Sequence, residues 1–301
     1  MAENIYSWQN APEMLLCLLA QRQEYDRVKM LRLSNTLGSV VVGCVAVVST
    51  WRSAEWLTAS QGIAGLTLAL WTRHSSTIIK EMQQRAASIQ QYFDVCLFSK
   101  ALGGEISEWG ELPLHSTIAE SIGKVKRAKI KKLINWYNDY SKLTPEEQVF
   151  YCQRQNVRWN ARLCCAYQIF YVVLFAIVPL LVVAGVAIIK NPCVVSFLCF
   201  ILSALSLGSS VSARIQETAA SVKHLKSLTL EYDSIETKIK SVKPSKKDLI
   251  ALQHKIKQSR EASLPIPNWF YNVFRFDYQK HEYRIAKFIV ITSLKTEAPN
   301  Q

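Results

Sequence analysis

Four stretches of this chain, 33–50, 56–72, 163–189 and 193–213, contain no Asp, Glu, Lys, Arg or His. A bilayer core about 30 Å thick takes roughly 17–25 apolar residues of helix, so each stretch is long enough to span it, the first two only just. Five residues, 51–55, separate the first pair, and Lys190, Asn191 and Pro192 separate the second. Such short connections force each pair into an antiparallel helical hairpin and leave the rest of the chain on one side. The expected fold is an all-α membrane protein of two transmembrane hairpins with long cytoplasmic helices. Its divisions are an N-terminal cytoplasmic helix (1–32), the first hairpin (33–72), a cytoplasmic helical region (73–162), the second hairpin (163–213), and C-terminal cytoplasmic helices with an aromatic tail (214–301).

The charges orient this arrangement. Of 36 Lys and Arg, only Arg52 and Lys190 fall at the hairpin tips. Basic residues near membrane ends are retained in the cytoplasm, so both termini and the central region are expected there. The first 30 residues are polar and mixed in charge, and no cleavable signal peptide is expected. The eight cysteines lie in the spans or on the cytoplasmic side, which disfavours structural disulfides. No CxxC pair or histidine cluster points to a metal.

Local signals place the helices. Asn10 followed by Pro12 and Glu13 reads as a helix start, with a helix over 13–33. After Thr72 the apolar residues Ile78, Ile79, Met82, Ala86, Ile89, Phe93 and Leu97 keep helical spacing through Lys100, and Gly103 and Gly104 end the run. The stretch 102–115 reads as a loop and 120–140 as a basic helix. Thr144, Pro145, Glu146 and Glu147 form a helix start that leads into the third span: a hydroxyl at the cap, proline at the first position, and acids facing the positive helix end. A second long helix is expected over 214–242, stopped before Pro244. Ser245 with Asp248 caps a shorter helix to Ala262. Pro265 and Pro267 then bound the tail of Trp269, Phe270, Tyr271, Phe274, Phe276 and Tyr278, followed by a weak strand signal at 288–292.

An internal duplication is expected. Gln21, Arg22 and Gln23 precede the first hairpin as Gln153, Arg154 and Gln155 precede the second. Tyr92, Phe93 and Asp94 have a counterpart in Glu231, Tyr232 and Asp233.

Three spans carry small or polar stripes. Ser39, Gly43, Ala46 and Thr50 share a face of the first, and Thr58, Gln61, Gly65 and Thr72 a face of the second. In the fourth, Ser196, Cys199, Ser203, Ser206 and Ser210 lie within about an 80° arc at 100° per residue. Small residues let helices pack closely; the alternative is that Gln61, Ser196, Ser203, Ser206 and Ser210 line an aqueous path. Coupled transporters and pumps need ionisable groups at depth, and these spans have none, so coupled transport is disfavoured.

On the soluble side, Lys124, Lys126, Arg127, Lys129, Lys131 and Lys132 run directly into Trp136 and Tyr137. A cationic surface beside aromatics can hold phosphates and stack a base; it can equally face anionic lipid. Lys238, Lys240, Lys243, Lys246 and Lys247 form a second run with the same two readings. Glu108, Glu111, His115 and Glu120 match no catalytic spacing, and there is no phosphate-binding glycine loop, HExxH or GxSxG. No catalytic residue, no metal and no enzymatic activity are expected.

Several short motifs resemble a known family. They are Asn4 and Ile5 with Gln9 and Asn10; Leu19 to Gln23 with Tyr25; Ile89 and Gln90 with Phe93 and Asp94; Asn135, Trp136 and Tyr137; Cys152 to Asn156 with Trp159 and Arg162; and Pro267 to Tyr271. In this order, around two hairpins, they resemble bacterial four-transmembrane pore-forming effectors associated with cyclic-oligonucleotide synthases of anti-phage systems. The resemblance implies a multi-pass protein of the bacterial inner membrane, homo-oligomeric, with a nucleotidyltransferase as functional partner and a cyclic oligonucleotide as activating signal. The signal drives membrane breach and abortive infection. The family carries over no ligand residues. Arg22, Arg154 and Arg158, as charged members of the motifs, join the basic run as candidate contacts for ligand or anionic lipid; orienting helices at the membrane surface is the competing role. No DNA-binding role is expected. A non-conducting membrane scaffold that docks a cytoplasmic partner is the alternative function.

Overall fold

The computed structural model describes residues 4–52, 55–113, 115–122, 133–188, 194–239 and 241–297; within its helices, most side chains of 44–61 and 178–210 lie outside the description. Among the described residues the chain is all helical, without a strand. A short α1 (Ile5–Trp8) leads to α2 (Pro12–Arg52) and α3 (Glu55–Leu102). A 3₁₀ turn (Ile106–Trp109) and α4 (His115–Ile122) follow. Then come α5 (Pro145–Ile188), α6 (Val194–Lys238), α7 (Lys246–Ala262) and α8 (Asn268–Glu297).

The four long helices have 41, 48, 44 and 45 residues. At 1.5 Å per residue each is about 60–70 Å long, twice a bilayer core. Each therefore joins a charge-free stretch and a charged segment in one uninterrupted rod. α2 packs along α3 and α5 along α6, while α2 against α6 joins the two pairs and α7 packs on α3 and α5. Gly38 sits where α2 and α3 approach most closely: a Cβ there would come within 2.8 Å of Leu68. Gly43 and Gly65, placed on small-residue stripes by sequence, have open space instead.

Several ends follow the local chemistry. The Thr144 backbone N–H and hydroxyl donate to Glu147 at 3.0 and 2.9 Å ahead of Pro145, the first residue of α5. Ser245 and Asp248 cap α7 reciprocally, and it ends at Ala262. Gly103, at φ 63°, terminates α3 in the left-handed region that glycine adopts without penalty.

Two expectations are overturned. The basic helix expected over 120–140 does not extend through 133–140: α4 is described as far as Ile122, and 133–144 is irregular. The basic residues between lie outside the described residues. The irregular backbone is held by distant side chains. Asn135 donates its N–H to Asn10 Oδ1 at 2.9 Å, and Tyr137 donates its N–H to Gln9 Oε1 at 2.7 Å. Those long-range bonds replace the helical ladder, and Asn135 takes φ 57°. The strand signal at 288–292 is also overturned. That segment lies in α8, where Ala286 and Ile289 bury one helical face at spacing three.

One segment among the described residues, Pro145–Ile177 of α5, is long and apolar enough to cross a membrane, with mean hydropathy 1.5 and only 17% of its most apolar window buried. The apolar stretches keep large side chains outward, including Val41, Ile63, Leu66, Val173 and Leu180.

Asn135 offers a test of the irregular segment. Asn135→Ala is expected to cost about 1–2 kcal/mol through the left-handed backbone, lowering the melting temperature. Asn135→Gly, which accepts that φ, should lose less. Equal losses would assign the effect to the Asn10–Asn135 side-chain pair instead.

Candidate functional site

The ends of the long helices away from the charge-free stretches close on a buried polar node. Its centre is Asp94 of α3, with no solvent exposure. Asp94 Oδ1 accepts from the Tyr137 hydroxyl at 2.5 Å, and Oδ2 accepts from Gln253 Nε2 at 3.0 Å. Arg260 Nη1 of α7 lies 2.7 Å from Oδ2. Gln253 Nε2 also donates to Gln91 Oε1 at 2.8 Å, and its Oε1 accepts from Gln153 of α5 at 3.1 Å. Gln153 also receives a bond from the Tyr232 hydroxyl of α6 at 3.3 Å. Asn156 donates to the Tyr137 hydroxyl at 2.6 Å, and Gln9 bonds both the N–H and the carbonyl of Tyr137. The node therefore gathers α3, α5, α6, α7, the 133–144 segment and the residue that closes α1. Phe93 stacks on Tyr137 at 6.1 Å between ring centres, and Phe150 packs on Tyr232 at 5.3 Å, so aromatic walls keep water out.

The electrostatics follow from burial. The Tyr137 hydroxyl is pushed well above its usual value, by burial first and the Asp94 charge second, so it stays protonated and donates. Burial alone would lower Arg260, but the charge of Asp94 beside it outweighs burial and raises it. Asp94 balances this guanidinium alone among carboxylates in ion-pair reach, and Arg260 Nε and Nη2 have no hydrogen-bond partner among the described residues.

A second cluster lies between α5 and α6. Arg154 pairs with Glu236 and lies 3.7 Å from Asp233, and Arg158 is 3.9 Å from Asp233. Desolvation raises Glu236 above the ordinary carboxylate range despite Arg154. Nearer the apolar stretches, Arg214 and Arg32 share Glu217 at 2.9 and 3.5 Å, and Asn268 at the start of α8 bridges Asp26 and Lys29 of α2 at 2.8 and 2.7 Å. These contacts clamp the two hairpins and α8 together at one level.

The sequence-selected residues divide accordingly. Tyr137 is fully buried and committed to Asp94, so in this conformation it offers no face for base stacking. Trp136 is half-buried against the core, and its carbonyl accepts from Gln155. Arg154 is buried in its acidic cluster, Arg158 sits at the cluster's edge, and Arg22 on α2 is half-buried. Lys126, Arg127, Lys129, Lys131 and Lys132 lie outside the described residues. Gln61 belongs to α3 and Ser196, Ser203, Ser206 and Ser210 to α6; their side chains likewise lie outside the description. Sequence reasoning missed Asp94, Gln253 and Arg260. A signal existed on α7. Leu249, Leu252, Ile256 and Ser259 form its buried stripe, and Gln253 and Arg260 interrupt that stripe with groups that need partners. Among the described residues no group of His, Cys, Asp and Glu is placed to hold a metal.

The architecture so far is that of an all-helical protein of long rods, carrying apolar stretches at one end and tied by a polar node at the other. The chain matches the family described as SMODS-associating 4TM effector domain over residues 3–287, and it belongs to that family. The match links it to the cyclic-oligonucleotide synthases called SMODS. No curated protein and no solved structure was found to match it.

Removing one partner of a buried ion pair leaves an uncompensated charge and costs about 3–5 kcal/mol. Asp94→Asn and Arg260→Met should each lower stability by that order, and the double variant should lose less than the sum of the two. Additive losses in thermal melts would show that the pair does not act as a unit. Burial also raises the Cys152 thiol well above its usual range. Maleimide at neutral pH should therefore leave Cys152 unlabelled in the folded protein and label it after denaturation; rapid labelling in the native state would mean the core is open.

Proposed function

We propose that the chain is an inner-membrane effector of a nucleotide-signalled anti-phage system, which permeabilises the bilayer after a cytoplasmic signal. The observation that carries this reading is the continuity of α3, α5 and α6 from the polar node, with α2 packed along them, into the four charge-free stretches. With no break at the boundary, a displacement at Asp94 and Arg260 moves the apolar ends as rigid levers. Four spans with both termini cytoplasmic agree with the family description and with the placement of the basic residues. The outward-facing apolar side chains of these rods need an apolar medium.

In this reading the chain does no chemistry of its own. A SMODS synthase makes a cyclic oligonucleotide, which acts directly or through a partner. Arg22, Trp136, Arg158 and, from the sequence, the basic residues of 124–132 are the cationic and aromatic candidates for contact with that nucleotide. Four packed helices leave little room for water, so a pore wide enough to end growth is built from several copies. The stripe Ser196, Ser203, Ser206 and Ser210, with Gln61, supplies its polar lining.

Purified protein in dye-loaded liposomes tests the reading. Leakage dependent on a cyclic oligonucleotide is expected, and replacing Ser203 and Ser206 with Leu should abolish it without preventing insertion. Absence of leakage at every protein concentration, with or without the nucleotide, would favour a non-conducting scaffold. Unchanged leakage in the double variant would assign the serine stripe to packing.

A further inference from the structure

A shallow groove of 530 Å³ opens between α5, α6 and α8. Its apolar lining is Cys165, Ala166 and Ile169 of α5, Leu230 of α6 and Tyr278 of α8. Ile169 is 63% exposed and Leu230 69%, so both present open apolar surface. Cys165, Ala166 and Ile169 belong to the third charge-free stretch, and one end of the groove therefore merges with it. Two cations, Arg162 and Lys226, also line it. Arg162 is held at 3.0 Å by Glu282 and lies 3.0 Å from His281. Lys226 is exposed and has no ion-pair partner among the described residues, and Lys223 one turn earlier is exposed beside it.

We infer that this groove holds one anionic phospholipid of the cytoplasmic leaflet, with an acyl chain running along Ala166 and Ile169 towards the apolar stretch, the phosphate at Lys226 and Arg162, and Leu230 closing the outer end. The assignment rests on the membrane reading above. The lining selects the occupant. An apolar wall that continues into a membrane stretch suits a hydrocarbon chain, and cations at its edge suit a phosphate at headgroup depth. Besides the two cations, the polar side chains of the lining are Thr229 and Tyr278, and the Thr229 hydroxyl already donates to the Leu225 carbonyl, which leaves little for a nucleobase to bond. A second copy of this basic chain would bring like charge to the Lys223 and Lys226 rim.

The test uses full-length protein in nanodiscs of mixed phosphatidylglycerol and phosphatidylcholine, released for native mass spectrometry. One retained phosphatidylglycerol per chain is expected. Lys226→Glu should lower the preference for the anionic lipid by about fivefold to tenfold, the factor that surface cations supply. Leu230→Gln should lower retention of both lipids. Both side chains are exposed, so circular dichroism melts of the variants should match the wild type. Equal retention of the two lipids, or an unchanged preference in Lys226→Glu, overturns the assignment. Carbonate extraction of cell membranes reads the membrane reading separately. A chain that resists extraction yet shows no lipid preference overturns the groove alone. A chain that is extracted overturns the membrane reading, while lipid retention still decides the groove.

Discussion

The buried carboxylate of Asp94 is the constraint on which the half of the structure away from the apolar stretches depends. A charge with no solvent exposure is tolerated only when its lone pairs are filled and its charge is balanced. Here the Tyr137 hydroxyl, the Gln253 amide and the Arg260 guanidinium do both, Tyr137 from the 133–144 segment and the other two from α7. Satisfying one residue therefore fixes the 133–144 segment, α7 and α3 relative to one another. The second row of partners, Gln9, Asn156, Gln153 and Tyr232, extends the same requirement to the residue after α1, to α5 and to α6. An apolar core of equal volume would hold these helices together, but it would not specify one register among them.

The node and the charge-free stretches are complementary ends of the same rods. Helix continuity turns the position of a side chain at the node into the position of a turn far along the helix, because an α-helix is stiff over this length. A lever needs a fulcrum as well as an input. The Arg32, Glu217 and Arg214 cluster and the Asn268 bridge to Asp26 and Lys29 lie between the node and the apolar stretches, and they fasten α2 to α6 and to α8. The desolvated Lys29 is lowered to about 8, so its charge is costly to keep and that bridge is the softer part of the clamp.

The legible part of this protein in its sequence is the part governed by local rules. The cap at Thr144 and Glu147, the box at Ser245 and Asp248, and the stop at Gly103 all depend on neighbours within a few residues, and each stands where local chemistry puts it. The node was illegible for the opposite reason: its bonds join residues more than a hundred positions apart, such as Gln9 with Tyr137 and Asp94 with Gln253. The same contacts override the helical periodicity of 133–140. Motif residues did carry a trace of it. Gln9, Asn10, Asp94, Asn135, Tyr137, Gln153, Gln155 and Asn156 had been separate fragments along the chain, and the fold makes most of them one network. The basic run beside Trp136 read as a surface, yet two residues later the chain is in the core.

The duplication expected from the sequence would pair Phe93 and Asp94 on α3 with Tyr232 and Asp233 on α6, and the two positions differ in surroundings. Both aromatics are fully buried. Asp94 then meets an arginine in a water-free core, whereas Asp233, with 41% of its side chain exposed, meets Arg154 and Arg158 at the margin. Screening acts on charges in contact with solvent and hardly on buried ones. The α5–α6 cluster is therefore the one that ionic surroundings or a polyanion can loosen, and the Asp94 node is insulated from them. Gln153 adjoins Arg154 in sequence and bonds Gln253, which bonds Asp94. The exposed cluster and the insulated node are thus separated by one step in sequence and two side-chain bonds, a short path between a pair that solvent ions screen and a pair that they do not.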